Sequence, residues 1–434
     1  MRLGTILLFL LALFPAAAHA APTPTEARAI AAAEADHTAY SLPPEELAKA
    51  EHISHLFDAM HFAGAAWGML SLFLILQLGI AARMSAFAER VSRNRWVQSF
   101  VFLLAFLLLT TLLLLPLRMV AHHVSSAYGF SIQRWPGWFW DQTKSFLLAF
   151  GLEVPFVAPL FWLIRRFPRR WWLVLWAPAM ASVLFGVYLS PLVVDPMFHQ
   201  FEPLSQARPD LVRQLERVAA NGHLDIPPDR MFLMKASEKT TLMNAYVTGF
   251  GGSKRLVIWD TLLSKLTPDE IAMVAGHEMG HYVLGHIVRG TLEAFAGILA
   301  AFFVGFHLFQ WLLRRFGARW KIPSQNDWAA LAVMLLVLNI VGFFAEPVSN
   351  ALSRGMEHDA DVFGQEVVHG IVADPQATGQ AEEQLLGESS LVAPNPSKFV
   401  EFWTDSHPST SFRAAFAKHY DPWAPGESPK YFPR

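Results

Sequence analysis

Cysteine is absent from this 434-residue chain. That excludes disulfides, thiolate metal sites and a cysteine nucleophile together, so any metal has to be held by histidine and carboxylate. Charge is scarce as well. Asp, Glu, Lys and Arg make up 16% of the residues and hydrophobic side chains 53%, against roughly 25% charged in a soluble domain. The formal net charge of -2 provides no basic surface, so nucleic acid is not an expected partner. Internal repeats and low-complexity tracts are also missing.

What is present is a series of long apolar runs. Residues 1–20 have the layout of a secretory signal: Arg2 as the positive flank, a short apolar stretch from residue 6 to 14, and Ala18-His19-Ala20 as a small-x-small cleavage site. Residues 21–58 are polar and Ala/Glu-rich, extramembrane and helical in part. Apolar runs follow at 62–82, 99–117, 146–164, 171–194, 291–313 and 328–348. Each is near the roughly 20 residues that a membrane helix needs. Tryptophans gather at their ends, as in an interfacial aromatic belt (Trp96, Trp138, Trp140, Trp171, Trp172, Trp311, Trp328). Glu153 is a lone carboxylate inside the third run, where an ionisable group marks a functional position by default.

Residues 195–290 have the composition of a small folded domain. Leu211 to Ala220 follows helical spacing. Met231-Phe232-Leu233-Met234 and Leu256-Val257-Ile258-Trp259, near Gly249, Gly251 and Gly252, have the pattern of strands. Thr267-Pro268-Asp269-Glu270 is a helix start, with Thr as the N-cap, Pro in the first position and Glu in the third. The helix it opens is expected to run to about Val288.

That helix carries His277-Glu278-Met279-Gly280-His281, an HExxH zinc signature. Histidines four apart lie on one helix face and can share one ion at about 2.0–2.1 Å. Glu278 sits beside that face, placed to handle the proton of a water. A histidine six residues after His281 could complete the set, but position 287 is isoleucine. His286, about 180° round a continuous helix from His277, is expected to be a packing residue. The alternative third ligand is a later carboxylate. Glu357 in Arg354-Gly355-Met356-Glu357-His358-Asp359-Ala360-Asp361 is the best candidate, with Glu346, His358 and Asp359 competing on spacing. Asp361, one turn beyond Glu357, suits acceptance of the free N–H of a ligand histidine.

Order and spacing along the chain carry a resemblance. Tyr128-Gly129-Phe130-Ser131 precedes Asp141-Gln142-Thr143-Lys144, Ser190-Pro191-Leu192 and Asn244-Ala245-Tyr246. Then come Asp260-Thr261-Leu262-Leu263, the HExxH helix, Leu352-Ser353-Arg354 with Glu357 and Asp361, and Ser406-His407-Pro408 with Arg413. In this the chain resembles the CAAX prenyl proteases, integral-membrane zinc metalloendopeptidases of the sterile-mutant type. The resemblance implies Glu357 as the third zinc ligand and one Zn2+ per chain. It implies His407 and Arg354 as active-site residues that steady the oxyanion or the substrate carbonyl. It also implies Asn244, Ala245 and Tyr246 as an edge to which a peptide substrate adds as a strand, and a zinc site facing a chamber enclosed by membrane helices. The run Thr240-Thr241-Leu242-Met243 departs from the family's polar, histidine-containing pattern, and the signal-like segment stands in place of a first span.

The expected architecture is a mainly α, multi-pass membrane protein with six transmembrane helices plus a small zincin-like (gluzincin) α+β protease domain. Its units are a signal peptide (1–20), an extramembrane segment (21–58), a four-helix membrane region (59–194), the HExxH domain (195–290), two further membrane helices (291–348), and a C-terminal part of the protease domain with the third ligand (349–434). The function expected is hydrolysis of peptide bonds in membrane-associated or misfolded proteins, with peptide or protein substrates and the lipid bilayer as partners. Prenyl-peptide cleavage is the alternative enzyme function, and a membrane scaffold or transporter the non-enzyme one. The signal-like segment suggests a bacterial cytoplasmic membrane. Arg83, Arg90, Arg93 and Arg95, then Arg165, Arg166, Arg169 and Arg170, then Arg314, Arg315, Arg319 and Lys321 fill three alternate connections. Placing all three in the cytoplasm puts the catalytic domain on the extracytoplasmic side.

Overall fold

A computed structural model describes residues 21–249 and 254–432. The signal-like segment and the Gly251-Gly252 turn lie outside the described residues. In chain order the main helices of the first half are α1 (Pro24–Ala35), α2 (Pro44–Gln77), α3 (Ile80–Val91), α4 (Arg95–Ala127), α5 (Trp135–Arg166) and α6 (Trp171–Leu184). The second half contains β1 (Phe201–Pro203), α7 (Pro209–Asn221), β2 (Met231–Met234), β3 (Ala245–Thr248), β4 (Arg255–Trp259), α8 (Pro268–Val283), α9 (His286–Trp320), α10 (Ala330–Val367), α11 (Pro375–Ser390), α12 (Lys398–Trp403) and α13 (Thr410–His419).

Among the described residues six helices are long and apolar enough to cross a membrane: α2, α4, α5, α6 with its continuation to Val193, α9 and α10. They coincide with the six apolar runs, but most extend well beyond them because polar turns are wound onto the apolar ones. α10 crosses and then continues, so its last turns belong to the protease domain. The first run was expected to reach residue 82. The helix instead stops at Gln77, where Gly79 takes φ 63°, a left-handed conformation that only glycine adopts without strain. The helices meet through Phe102, Phe106, Phe161, Phe309, Trp320 and Trp328, all nearly inaccessible. Their outer surfaces expose Leu112, Trp162, Leu292 and Phe344, apolar area that would be costly in water and is matched to lipid. Of the tryptophans expected in an interfacial belt, Trp96, Trp140 and Trp311 are exposed, whereas Trp138, Trp171 and Trp328 are buried in the packing of the helices.

The protease domain is built on a four-stranded sheet of order β1-β2-β4-β3. β2 and β4 are parallel, and β3 runs antiparallel to β4 with Ala245 opposite Ile258. β2 and β4 fall where the apolar runs placed them. β1 (Phe-Glu-Pro) and β3 (Ala-Tyr-Val-Thr) mix polar or small residues with apolar ones, so no continuous apolar run marks them as it marks β2 and β4. β3 is an edge strand. Leu215, Met231, Leu256, Ile258, Ile271, Ala275 and Phe363 form the core that fixes α7, α8 and α10 on this sheet. A buried Phe of this kind contributes about 1.5–3 kcal/mol.

Candidate metal centre

Local sequence sets the start of α8. Thr267 Oγ1 accepts the Glu270 N–H, and the Glu270 carboxylate accepts the Thr267 N–H, a complete capping box with Pro268 in the first turn. The interior of α8 is shaped by two glycines. A Cβ on Gly276 would lie 2.9 Å from Val367 Cγ1, and one on Gly280 would lie 3.1 Å from Phe363. On the facing helix, a Cβ on Gly364 would lie 3.0 Å from the backbone nitrogen of His277. Three glycines thus let α8 and α10 cross almost backbone to backbone. That crossing delivers Glu357 and Asp361 to the histidine face of α8.

His277 Nε2, His281 Nε2 and Glu357 Oε2 converge. The two imidazole nitrogens are 3.1 Å apart, and Glu357 Oε2 lies 3.3 Å from His277 and 3.5 Å from His281. Ligand atoms about 2.0–2.1 Å from one tetrahedral ion are spaced by about the same amount. Glu357 Oε2 is buried among the imidazole nitrogens of His277, His281 and His407, 3.2–3.5 Å away, and a buried carboxylate is costly unless a cation completes it. Two imidazoles and a carboxylate with no thiolate are a donor set that suits zinc. This triad is the one His/Cys/Asp/Glu group among the described residues whose atoms close in this way.

Around the triad a second layer orients the ligands. Asp361 Oδ1 is 2.8 Å from His277 Nδ1, which directs the Nδ1 hydrogen outward and the Nε2 lone pair to the ion. Arg413 grips Asp361 in turn, Nε to Oδ2 at 2.9 Å and Nη2 to Oδ1 at 2.6 Å. It also reaches Glu383 Oε1 at 2.9 Å. Burial alone would lower the Arg413 pKa, but the carboxylates of Asp361 and Glu383 outweigh it and hold the group well above its ordinary value. Burial pushes Glu383 up to about 7, with Arg413 opposing. Burial, then the neighbouring Glu383, also holds the Glu382 carboxyl well above its ordinary value. Burial also raises the Glu278 carboxyl, against the pull of the two ligand histidines.

His286 is a correction. A continuous helix would have carried it away from the site. Instead α8 ends at Val283, Gly285 adopts φ 70°, and α9 restarts at His286. The break swings His286 Nδ1 to 3.0 Å from His281 Nδ1, so it contacts a ligand histidine from behind. The competing carboxylates and histidine go elsewhere. Glu346 pairs with His61 at 3.2 Å, His358 with Glu26 at 3.1 Å, and Asp359 with Lys430 at 2.9 Å.

His407 Nε2 lies 3.2 Å from Glu357 Oε2, with its side chain 55% exposed, and Ser406 Oγ lies 2.9 Å from its Nδ1. Arg354 was expected to face the reacting carbonyl. Its Nη1 instead donates to the backbone oxygens of Glu401 and Asp405, at 2.7 and 2.5 Å, so it braces the segment that carries His407. Asn244 and Ala245 line a cavity together with His277, Glu278 and His407. The Tyr246 ring turns the other way, to a hydroxyl contact with Asp195 Oδ2 at 3.2 Å. Glu382, Glu383 and the clamp role of Arg413 were not foreseen. No short motif marks them, because they meet the site only through the packing of α11 and α13.

Known proteins resemble this chain along most of its length. Residues 205–421 match the model of peptidase family M48, and residues 31–200 match the CAAX prenyl protease N-terminal family, described as five membrane helices. Within 31–200 this chain has four helices of spanning length. An uncharacterized metalloprotease, YhfN, of Bacillus subtilis is 33% identical over 390 residues, 90% of this chain and 89% of that one. A CAAX prenyl protease 1 homolog of Caenorhabditis elegans is 25% identical over 68% of this chain and 71% of its own length. The crystal structure of S. mikatae Ste24p shares the fold, with a TM-score of 0.74 at 20% identity, covering 95% of this chain and 98% of that one. Matched in turn by the family's protease and membrane models, and a third identical to a relative over nearly its whole length, the chain belongs to peptidase family M48 and is a membrane zinc metalloendopeptidase.

Proposed function

We propose that His277, His281 and Glu357 hold one zinc ion and that the enzyme cleaves extended segments of membrane-associated or misfolded proteins. The convergence of the three donor atoms, which lie within 4.8 Å of one another, carries the assignment. When bound, the ion supplies Lewis acidity, polarising a scissile carbonyl and lowering the pKa of water towards about 7. Glu278 takes the proton of the attacking water and returns it to the leaving nitrogen, a role its raised pKa suits. His407 donates to the developing oxyanion, an interaction typically worth about 10²–10³ in rate. Arg354 acts through the backbone of residues 401–405 to hold His407 in reach. Asp361 and Arg413 fix the ring of His277. The edge of β3, beginning at Asn244, Ala245 and Tyr246, offers free backbone groups on which a substrate strand pairs irrespective of its sequence.

That sequence-tolerant edge favours a broad protein substrate over a single prenylated terminus. The positive-inside rule favours a catalytic domain outside the cytoplasm, because the basic connections α2–α4, α5–α6 and α9–α10 alternate along the chain with the connections that lead to the protease domain. The deciding experiment compares cleavage of a farnesylated peptide, its unprenylated twin and an unfolded membrane protein, with Glu278→Ala as the inactive control. Comparable turnover of the unprenylated substrates supports the proposal. Strict dependence on the farnesyl group overturns the substrate class.

A further inference from the structure

Beside the ligand triad lies a cavity of about 160 Å³. A cavity of roughly 150 Å³ holds one benzene-sized group, so this one admits a single side chain. Its walls include Glu278 and His407, which serve the reaction, and Glu382 and Glu383, which do not. Both extra carboxylates come from α11 and are 7% and 4% exposed. Close packing forces them inward. A Cβ on Gly379, one turn before Glu383, would lie 2.9 Å from Gln365 Oε1 and 3.1 Å from the Ala417 Cβ.

Three carboxyl groups share one guanidinium around this cavity. The Arg413 guanidinium faces Asp361, Glu382 and Glu383; it hydrogen-bonds Asp361, reaches His277 Nδ1 at 3.5 Å and forms an ion pair with Glu383. Among the described residues Glu382 makes no hydrogen bond or ion pair. Glu383 Oε2 is buried and also without a hydrogen-bond partner. A buried carboxyl left this way takes up a proton unless a cation arrives to complete it. Folded proteins carry such violations chiefly where a ligand completes them.

We propose that Glu382 and Glu383 form the floor of a substrate subsite that takes the cationic side chain, Lys or Arg, of a residue flanking the scissile bond. This rests on the peptidase reading given above. The wall at Asn244 and Ala245 is the start of the edge strand β3. A peptide paired there sends alternate side chains to opposite faces, one of them into this cavity. Leu262, Met273, Val274 and Leu386 add apolar walls, which accommodate the methylene stem of Lys or Arg while the charge reaches the carboxylates.

The test is a peptide library varied at the two positions flanking the cleaved bond, assayed on the full-length zinc enzyme and on Glu382→Gln. The readout is the ratio of kcat/KM for Lys or Arg peptides to that for Leu and Gln peptides. The wild type should favour the basic residues by about 10-fold or more, the scale of a charge-assisted contact, and Glu382→Gln should remove most of that preference. A merely structural brace would slow all peptides together and leave the ratio unchanged, which overturns the proposal. A wild-type ratio near one, or a preference for Gln over Lys, overturns it without any variant. Cleavage without basic preference leaves the peptidase assignment standing, whereas no cleavage of any peptide overturns both.

Discussion

Replacing Gly364 with alanine tests whether the near contact of α8 and α10 is what assembles the metal centre. The new Cβ would lie 3.0 Å from His277 N and 3.2 Å from its Cα, while ordinary contact begins near 3.4 Å. The obstructing atoms are backbone, so no rotamer change relieves them, and the helices have to part by about 0.4 Å. Metal sites hold ligand distances to within about 0.2 Å. Glu357 on α10 is thereby drawn off His277 and His281 on α8. Overpacking of this kind costs about 1–3 kcal/mol. The metal-free protein relaxes by separating the helices, so the cost falls on metal binding, about 5- to 150-fold in Kd. Competition with a chelator of known zinc affinity measures the change. Gly342→Ala is the control: it lies on the same helix with nothing within 4 Å of its added Cβ, and it should bind zinc normally. Wild-type zinc affinity in Gly364→Ala would refute the argument that this crossing sets the ligand geometry.

Three further outcomes are expected. Glu278→Gln should keep stoichiometric zinc yet lose cleavage, whereas Glu357→Ala should lose both; the reverse pattern in metal analysis would exchange their roles. His407→Ala should keep fold and zinc but lose roughly 10-fold or more in kcat, and an unchanged kcat would make His407 structural. A reporter active only in the cytoplasm should be silent when fused after Arg434 and active after Arg170; the opposite result would invert the topology.

The sequence by itself determined the elements that depend on near neighbours. Six apolar runs dictate six membrane helices, because a bilayer leaves the backbone no other partner than its own helix. The capping box at Thr267 and the four-residue spacing of His277 and His281 fix two metal ligands and a helix start within 15 residues. The third ligand was a choice among Glu346, Glu357, His358 and Asp359, because a carboxylate 76 residues beyond His281 is brought in by packing and not by spacing. Only the tertiary structure sends Glu346 to His61 and Asp359 to Lys430, and Glu357 to the histidines. The glycines that permit this were visible as letters, but what each would collide with is a property of the crossing helix. The same holds for Gly285, whose left-handed turn brings His286 to His281. Arg354, Arg413, Glu382 and Glu383 illustrate the limit: a charged side chain's role is set by which partners the fold buries beside it, and those partners lie tens to hundreds of residues away.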